Sequence, residues 1–245
     1  MIITSINNDR IKNLSKLKQK KYRDQDKLFL VEGDHLVEEA LKSGYLKELI
    51  VLDENTNPFA FDNITYVSKE VMDKLSEQES STNIIGVCSY IDNLQSELSN
   101  KLMLLDGLQD PGNVGTIIRS ASAFGFDVVL GDNTVDIYNS KTIRSTEGMI
   151  FNIKFVKDNL SNFISKNNKY KYFIADMHKG LSVKEYNSDQ PIAIIMGNEG
   201  NGVSQDIRDL NLEYIHINQN SKCESLNVGV ASSIFMYELG DTDER

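Results

Sequence analysis

Three short polar clusters, each closing an apolar run, hold the side chains best suited to chemistry in this chain of 245 residues. The first is Asn113 with Arg119, in LDGLQDPGNVGTIIRSASAFG (105–125). Ile117, Ile118, Ala121 and Phe124 predict a buried helical face there. Arg119 is the segment's only cation, so its guanidinium must meet a carboxylate, a phosphate or an edge of the fold. The second is Glu199, the only charge in the glycine-rich IMGNEGNGVS (195–204). Glycines let backbone N–H groups approach a ligand closely, but the order G-N-E-G-N-G is neither the dinucleotide fingerprint nor a Walker loop. A nucleotide-like ligand and a purely structural loop both fit. The third is Ser225 with Asn227, in YIHINQNSKCESLNVGVASSIFMYE (214–238). Helix capping explains Ser225 fully; Asn227, a poor residue inside a helix, is harder to explain that way.

The elements that must position these clusters follow from periodicity and punctuation. Strands are expected at 101–105, 127–130, 153–156, 170–175, 192–196 and 214–217. Helices are expected at 113–124 with Asn113 as N-cap, 140–151, 160–167, 204–210 and 225–239 with Ser225 as N-cap. That alternation predicts a mostly parallel sheet covered on both faces, with the clusters at strand-to-helix junctions, where open α/β sheets place ligands. Upstream lies a smaller α/β sandwich: an amphipathic basic helix over 8–23, strands at 27–32, 49–52, 64–67 and 84–90, and helices at 35–43 (N-cap Asp34, closed by Gly44) and 69–76. The polar stretch 92–100 is the linker candidate, giving domains of 1–95 and 100–245.

Composition excludes several classes. Cys88 and Cys223 are isolated and only three histidines are present, so neither a disulfide framework nor a metal site is expected. No apolar run approaches membrane-spanning length and no signal peptide is visible, so a cytoplasmic protein without membrane contact is expected. The net charge of −10 is uneven: residues 1–30 carry eight Lys/Arg against three Asp/Glu, and the remainder 18 against 33. An acidic protein with one basic contact surface has this asymmetry, and so does a solvated basic helix without a partner.

The three clusters, in this order and spacing, resemble the signature motifs of the SpoU (TrmH) family of RNA 2′-O-ribose methyltransferases of the SPOUT superfamily. KTIRSTEGMIF (141–151) resembles the family's K-x-x-R-x-S-x-G segment, with Thr146 where serine is usual. INNDRIKNLSKLKQKKYR…LFLVEG resembles the small substrate-binding domain that often precedes the catalytic one. His216 departs from the family, which often has proline there.

The resemblance implies a small L30e-like α/β domain followed by a SPOUT α/β domain with a deep trefoil knot, working as a homodimer. It implies S-adenosylmethionine as cofactor, held by loops containing Ala175, Met177, Met196, Gly197, Ile217 and Leu226. Arg119, Asn113, Glu199, Ser225 and Asn227 become the catalytic set, and Lys18, Lys20, Lys21, Arg23, Lys141 and Arg144 the RNA contacts. Within that set, Arg119 is either the base or an electrostatic activator of the 2′-OH. A 23S-type ribosomal RNA is the favoured substrate. The alternatives are a tRNA 2′-O-methyltransferase and a non-catalytic RNA-binding or assembly factor that keeps the fold.

Overall fold

The structure is a computed structural model and describes residues 2–53, 59–78, 82–91, 97–220, 222 and 224–240. The chain forms two compact units, Met1–Asp92 with Asp136–Asn152, and Asn93–Val135 with Ile153–Arg245. The linker candidate falls partly on 92–96, outside the described residues, as does Cys223.

The first unit runs β1 (Ile2–Ile3), α1 (Asp9–Lys16), α2 (Lys20–Asp26), β2 (Leu28–Glu32), α3 (Asp34–Lys42), β3 (Leu46–Leu52), β4 (Ile64–Val67), α4 (Lys69–Leu75) and β5 (Ile84–Ser89). Its sheet has the order β1-β4-β3-β5-β2, with β5 antiparallel to both its neighbours. The three-residue spacing of Ile11, Leu14 and Leu17 does bury one stripe, in a core with Val71, Met72 and Leu75. The single basic helix expected over 8–23 is instead two helices, and Arg23 supplies the reason. Its guanidinium turns back and donates to the carbonyls of Leu17 and Lys18 (both 2.8 Å), satisfying the end of α1.

Arg23 is therefore not a free phosphate contact. It is only 4 % exposed, and its Nη2 pairs with Asp136 Oδ2 at 2.6 Å. Removing one partner of a buried pair strands the other charge. Arg23→Ala is expected to cost about 3–5 kcal/mol in urea unfolding. An unchanged unfolding midpoint would return Arg23 to the surface set.

Asp136 belongs to a segment that sequence periodicity places in the second half but that packs into the first unit. Its aromatic and aliphatic side chains account for this. Tyr138 stacks on Tyr90 with centroids 3.9 Å apart, and Phe151 stacks on Tyr45 and Phe29. The helix expected over 140–151 ends early, as α6 (Ser140–Ser145), because Glu147 and Gly148 take left-handed conformations before a 3-10 turn at Met149–Asn152. Cys88 in β5 is wholly buried, and burial pushes its thiol pKa up, as for a packing residue.

The second unit runs β6 (Lys101–Asp106), α5 (Pro111–Phe124), β7 (Asp127–Leu130), β8 (Phe155–Lys157), α7 (Leu160–Lys166), β9 (Lys171–Asp176), β10 (Leu181–Ser182), β11 (Ile192–Gly197), α8 (Gln205–Arg208), β12 (Glu213–His216) and α9 (Val228–Leu239). The sheet order is β10-β12-β9-β11-β6-β7-β8 and every described pairing is parallel. The near-continuous apolar runs of β6 and β11 are what burial on both faces requires. One face packs Leu160, Phe163, Ile164 and Ile207 against Leu102, Leu104, Ile174 and Ile195. Elsewhere in the unit α5 and α9 pack closely: Ser120 and Ser233 hydroxyls lie 2.7 Å apart, and Phe124 meets Tyr237 edge-on. Among the described residues, no helix is long and apolar enough to cross a membrane, and no group of three or more His, Cys, Asp or Glu is placed to hold a metal ion.

Three helix starts differ from expectation. Asp110, not Asn113, caps α5 and accepts from the Asn113 N–H at 2.8 Å. Asn227, not Ser225, caps α9, and Asp34 is the first residue of α3 rather than its cap. The α9 cap removes the earlier difficulty with Asn227, since Asn is favoured at that position.

Candidate active site at the carboxyl ends of the parallel strands

The polar clusters converge because β6 and β11 are direct neighbours, register-matched from Ile192↔Lys101 to Gly197↔Asp106. Their following loops are then tied together. Asp106 Oδ2 accepts the Ser204 N–H at 2.6 Å. Asn198 donates through Nδ2 to the Gly107 carbonyl at 2.8 Å, and its Oδ1 accepts from the N–H groups of Gly200 and Asn201. Gly197 stands where the loop doubles back: a Cβ there would lie 2.3 Å from Gly202 C and Val203 N, so no other residue fits.

Glu199, Asn113 and Asn227 form one hydrogen-bonded chain across all three clusters. Asn113 Nδ2 donates to Glu199 Oε1 at 3.1 Å, and Asn227 Nδ2 donates to Asn113 Oδ1 at 2.9 Å. Asn227 Oδ1 accepts from the N–H groups of Gly229 and Val230 at the start of α9. Both amides are thereby oriented without ambiguity. Backbone donors demand an oxygen at one end, and a carboxylate demands an NH₂ at the other.

This chain borders a cavity of about 670 Å³ lined by residues of three loops and of α9. Ala175, Met177, Met196, Gly197, Ile217 and Leu226 all line it, as do Glu199, Ser225 and Asn227. Among the described residues its charged groups are Asp176, Glu199 and Glu224, with no lysine, arginine or histidine in the wall. Burial pushes the Asp176 carboxyl up, but the N–H groups of His178 and Lys179, 2.9 and 3.0 Å away, hold it below the usual carboxylate range. Such a wall suits a ligand carrying positive charge and rejects phosphates.

Arg119 stands apart from the lining. It is exposed on α5, about 9 Å along the helix axis from Asn113, and has no hydrogen bond or ion pair with any described residue. Of the three destinations open to it from sequence, the edge of the fold is the one observed, leaving the guanidinium available to an incoming anion.

The basic residues do not form one set. Lys18 Nζ donates to the Ser76 carbonyl at 2.8 Å, Lys20 pairs with Asp24, and Arg23 is buried. Lys21 is exposed with no carboxylate among the described residues. Lys141 and Arg144 lie on α6 in the first unit, and Arg144 Nη1 is buried without a partner. The sequence singled out the loops of Asp176 and Asn198 but gave no role to Asp176, Asn198, Gln219 or Glu224 of the lining. Asp176 was the most accessible of these, being a carboxylate at the carboxyl end of a predicted parallel strand.

Residues 100–237 match the SpoU rRNA methylase family model, and residues 8–86 match the MRM3-like substrate-binding domain. The chain is 38 % identical to a 23S rRNA (guanosine(2553)-2′-O)-methyltransferase of Bacillus subtilis, the match covering 97 % of this chain and 98 % of the relative. Among solved structures it resembles an S-adenosylmethionine-bound rRNA methyltransferase from Sinorhizobium meliloti. That pair has a TM-score of 0.85 and 25 % identity, covering 97 % of this chain and 96 % of the other. It likewise resembles an RNA 2′-O-ribose methyltransferase, with TM-score 0.80, 29 % identity and 97 % of each chain covered. Joined motif residues, a parallel sheet that places them beside one cavity, and a family model spanning more than half the sequence lead to one conclusion: the chain belongs to the SpoU rRNA methylase family.

Proposed function

We propose that this chain transfers a methyl group from S-adenosylmethionine to a ribose 2′-OH of ribosomal RNA, of the 23S type. The observation that carries the reading is the Glu199–Asn113–Asn227 chain at the wall of a cavity with no cation among its described residues. A binding module has no use for three oriented polar groups beside such a cavity. Mapping 2′-O-methyl positions in total RNA from cells with and without the chain is the test. Loss of one ribosomal position is expected; loss confined to tRNA would favour the tRNA alternative, and an unchanged map would favour the non-catalytic one.

The residues present fit the cofactor. Gly197 and apolar Ala175, Met177, Met196, Ile217 and Leu226 line the cavity and offer contact for an adenosine and a thioether chain. When bound, S-adenosylmethionine supplies a methyl group activated by a sulfonium, and the carboxylates of Asp176, Glu199 and Glu224 favour that charge.

Arg119 acts on the RNA side. A guanidinium has a pKa above about 12, so a neutral arginine base is costly. The better account is that Arg119 grips a phosphate in bidentate fashion and stabilises the developing 2′-oxyanion. Asn113 and Asn227 orient the loops on which substrate rests, Ser225 hydrogen-bonds near the reacting hydroxyl, and most of the acceleration comes from positioning. The 2′-OH is also the group that separates RNA from DNA.

Three further features belong to the proposal. The polypeptide after β12 is threaded as a trefoil knot, a departure from the rule against knotted chains. Support comes from the three cavity loops, which follow β9, β11 and β12 and face one space. The working form is a homodimer, supported by exposed apolar surface on α9, where Val230 is 48 % and Tyr237 60 % exposed. An rRNA substrate also implies a cytoplasmic setting.

A further inference from the structure

The surplus positive charge of α1 and α2 is not spread over a face. Arg10 pairs with Glu48 at 2.6 Å, Lys12 with Asp9 at 3.8 Å, Lys20 with Asp24 and Arg23 with Asp136. Lys18 is held by the Ser76 carbonyl. Lys16 and Lys21, both exposed, have no carboxylate within 4.0 Å among the described residues. Lys16 Nζ donates to Asn13 Oδ1 at 2.9 Å, and both lysines place their ammonium 5.7 Å from the centroid of the Tyr22 ring. That ring is half-buried, and its hydroxyl has no hydrogen bond to any described residue.

We propose that Tyr22, flanked by Lys16 and Lys21, is a stacking platform for one unpaired RNA nucleotide, with the two ammonium groups meeting its phosphates. The inference rests on the RNA reading above and narrows it to a site. The chemistry is specific. An aromatic face is sequence-tolerant toward bases, and two cations beside it match the phosphates that flank a base. The ligand must be single-stranded, because a duplex base already has both faces stacked. A surface lysine–tyrosine pair with no ligand is the competing account. It leaves unexplained why neither lysine takes a carboxylate in a region where four neighbouring cations do.

The chain has no tryptophan, so Tyr22→Trp introduces a single indole at the platform. Its emission is expected to be quenched by 23S rRNA transcribed in vitro and by a short oligoadenylate, but not by duplex RNA of equal length. Tyr22→Leu should weaken oligoadenylate binding by about 5- to 100-fold with an unchanged salt slope, and Tyr22→Phe should bind as wild type. Replacing both Lys16 and Lys21 by alanine should reduce the slope of log K against log salt by about 1.4. Unquenched emission with RNA bound, or wild-type affinity in Tyr22→Leu, overturns the platform alone. A wild-type chain that neither binds nor methylates rRNA overturns the functional reading and the platform with it.

Discussion

Arg119→Ala is expected to lower single-turnover methyl transfer by at least about 10²–10³-fold while S-adenosylmethionine binding, measured by calorimetry, stays within a factor of about two. The separation follows from position. Arg119 is exposed, outside the cavity lining and without a hydrogen bond or ion pair to any described residue, so truncation should leave the cavity wall and the fold untouched. What is lost is a charge-assisted donor to the RNA. Arg119→Lys should recover little, because a point charge does not reproduce the planar, two-pronged grip of a guanidinium on a phosphate. Turnover near wild type in Arg119→Ala would remove this residue from the mechanism.

The second large effect is expected at Asn113, whose amide touches both of the other motifs. Asn113→Ala leaves Glu199 without its Nδ2 donor and Asn227 without its Oδ1 acceptor. A loss of about 10²-fold in kcat is expected, with thermal stability falling by no more than about 1–2 kcal/mol, since the α5 cap is Asp110 and the α9 cap is Asn227. Asn113→Asp should be as damaging despite its shape. It still accepts from Asn227 but sets one carboxylate against another. A cycle with Glu199→Gln checks the coupling: the two losses should fall well short of additivity, and strict additivity would mean that no relay operates.

Much of the fold was legible because its strands are buried on both faces. The runs at 101–105, 127–130 and 192–196 contain little but Leu, Ile, Val, Ala and Met, and each became a strand within a residue or so of its expected limits. The two-residue strands β1 and β10 escaped, since two residues carry no period. The caps went wrong for a local reason. Asp110, Asn113, Ser225 and Asn227 are all good N-caps by type, and only the position of the first helical turn chooses among them. The proposed catalytic residues were named by resemblance, but the hydrogen bonds that join three of them were not legible, because Asn113 lies 86 positions from Glu199 and 114 from Asn227. Arg23 shows the converse. Sequence placed it in a basic run, and only the distant Asp136 reveals it as a buried structural group.

The packing of Asp136–Asn152 into the first unit also bears on synthesis of the protein. A unit built from two stretches cannot complete its core when the first has left the ribosome. Phe29, Tyr45 and Tyr90 must wait for Tyr138 and Phe151. At about 5–20 residues per second, the interval from Asp92 to Asn152 lasts about 3–12 s. During it β6, α5 and β7 emerge, so the first unit and the start of the second unit's sheet mature together rather than in succession. A graft that exchanges only the amino-terminal stretch with a relative's would separate Arg23 from the aspartate it pairs with.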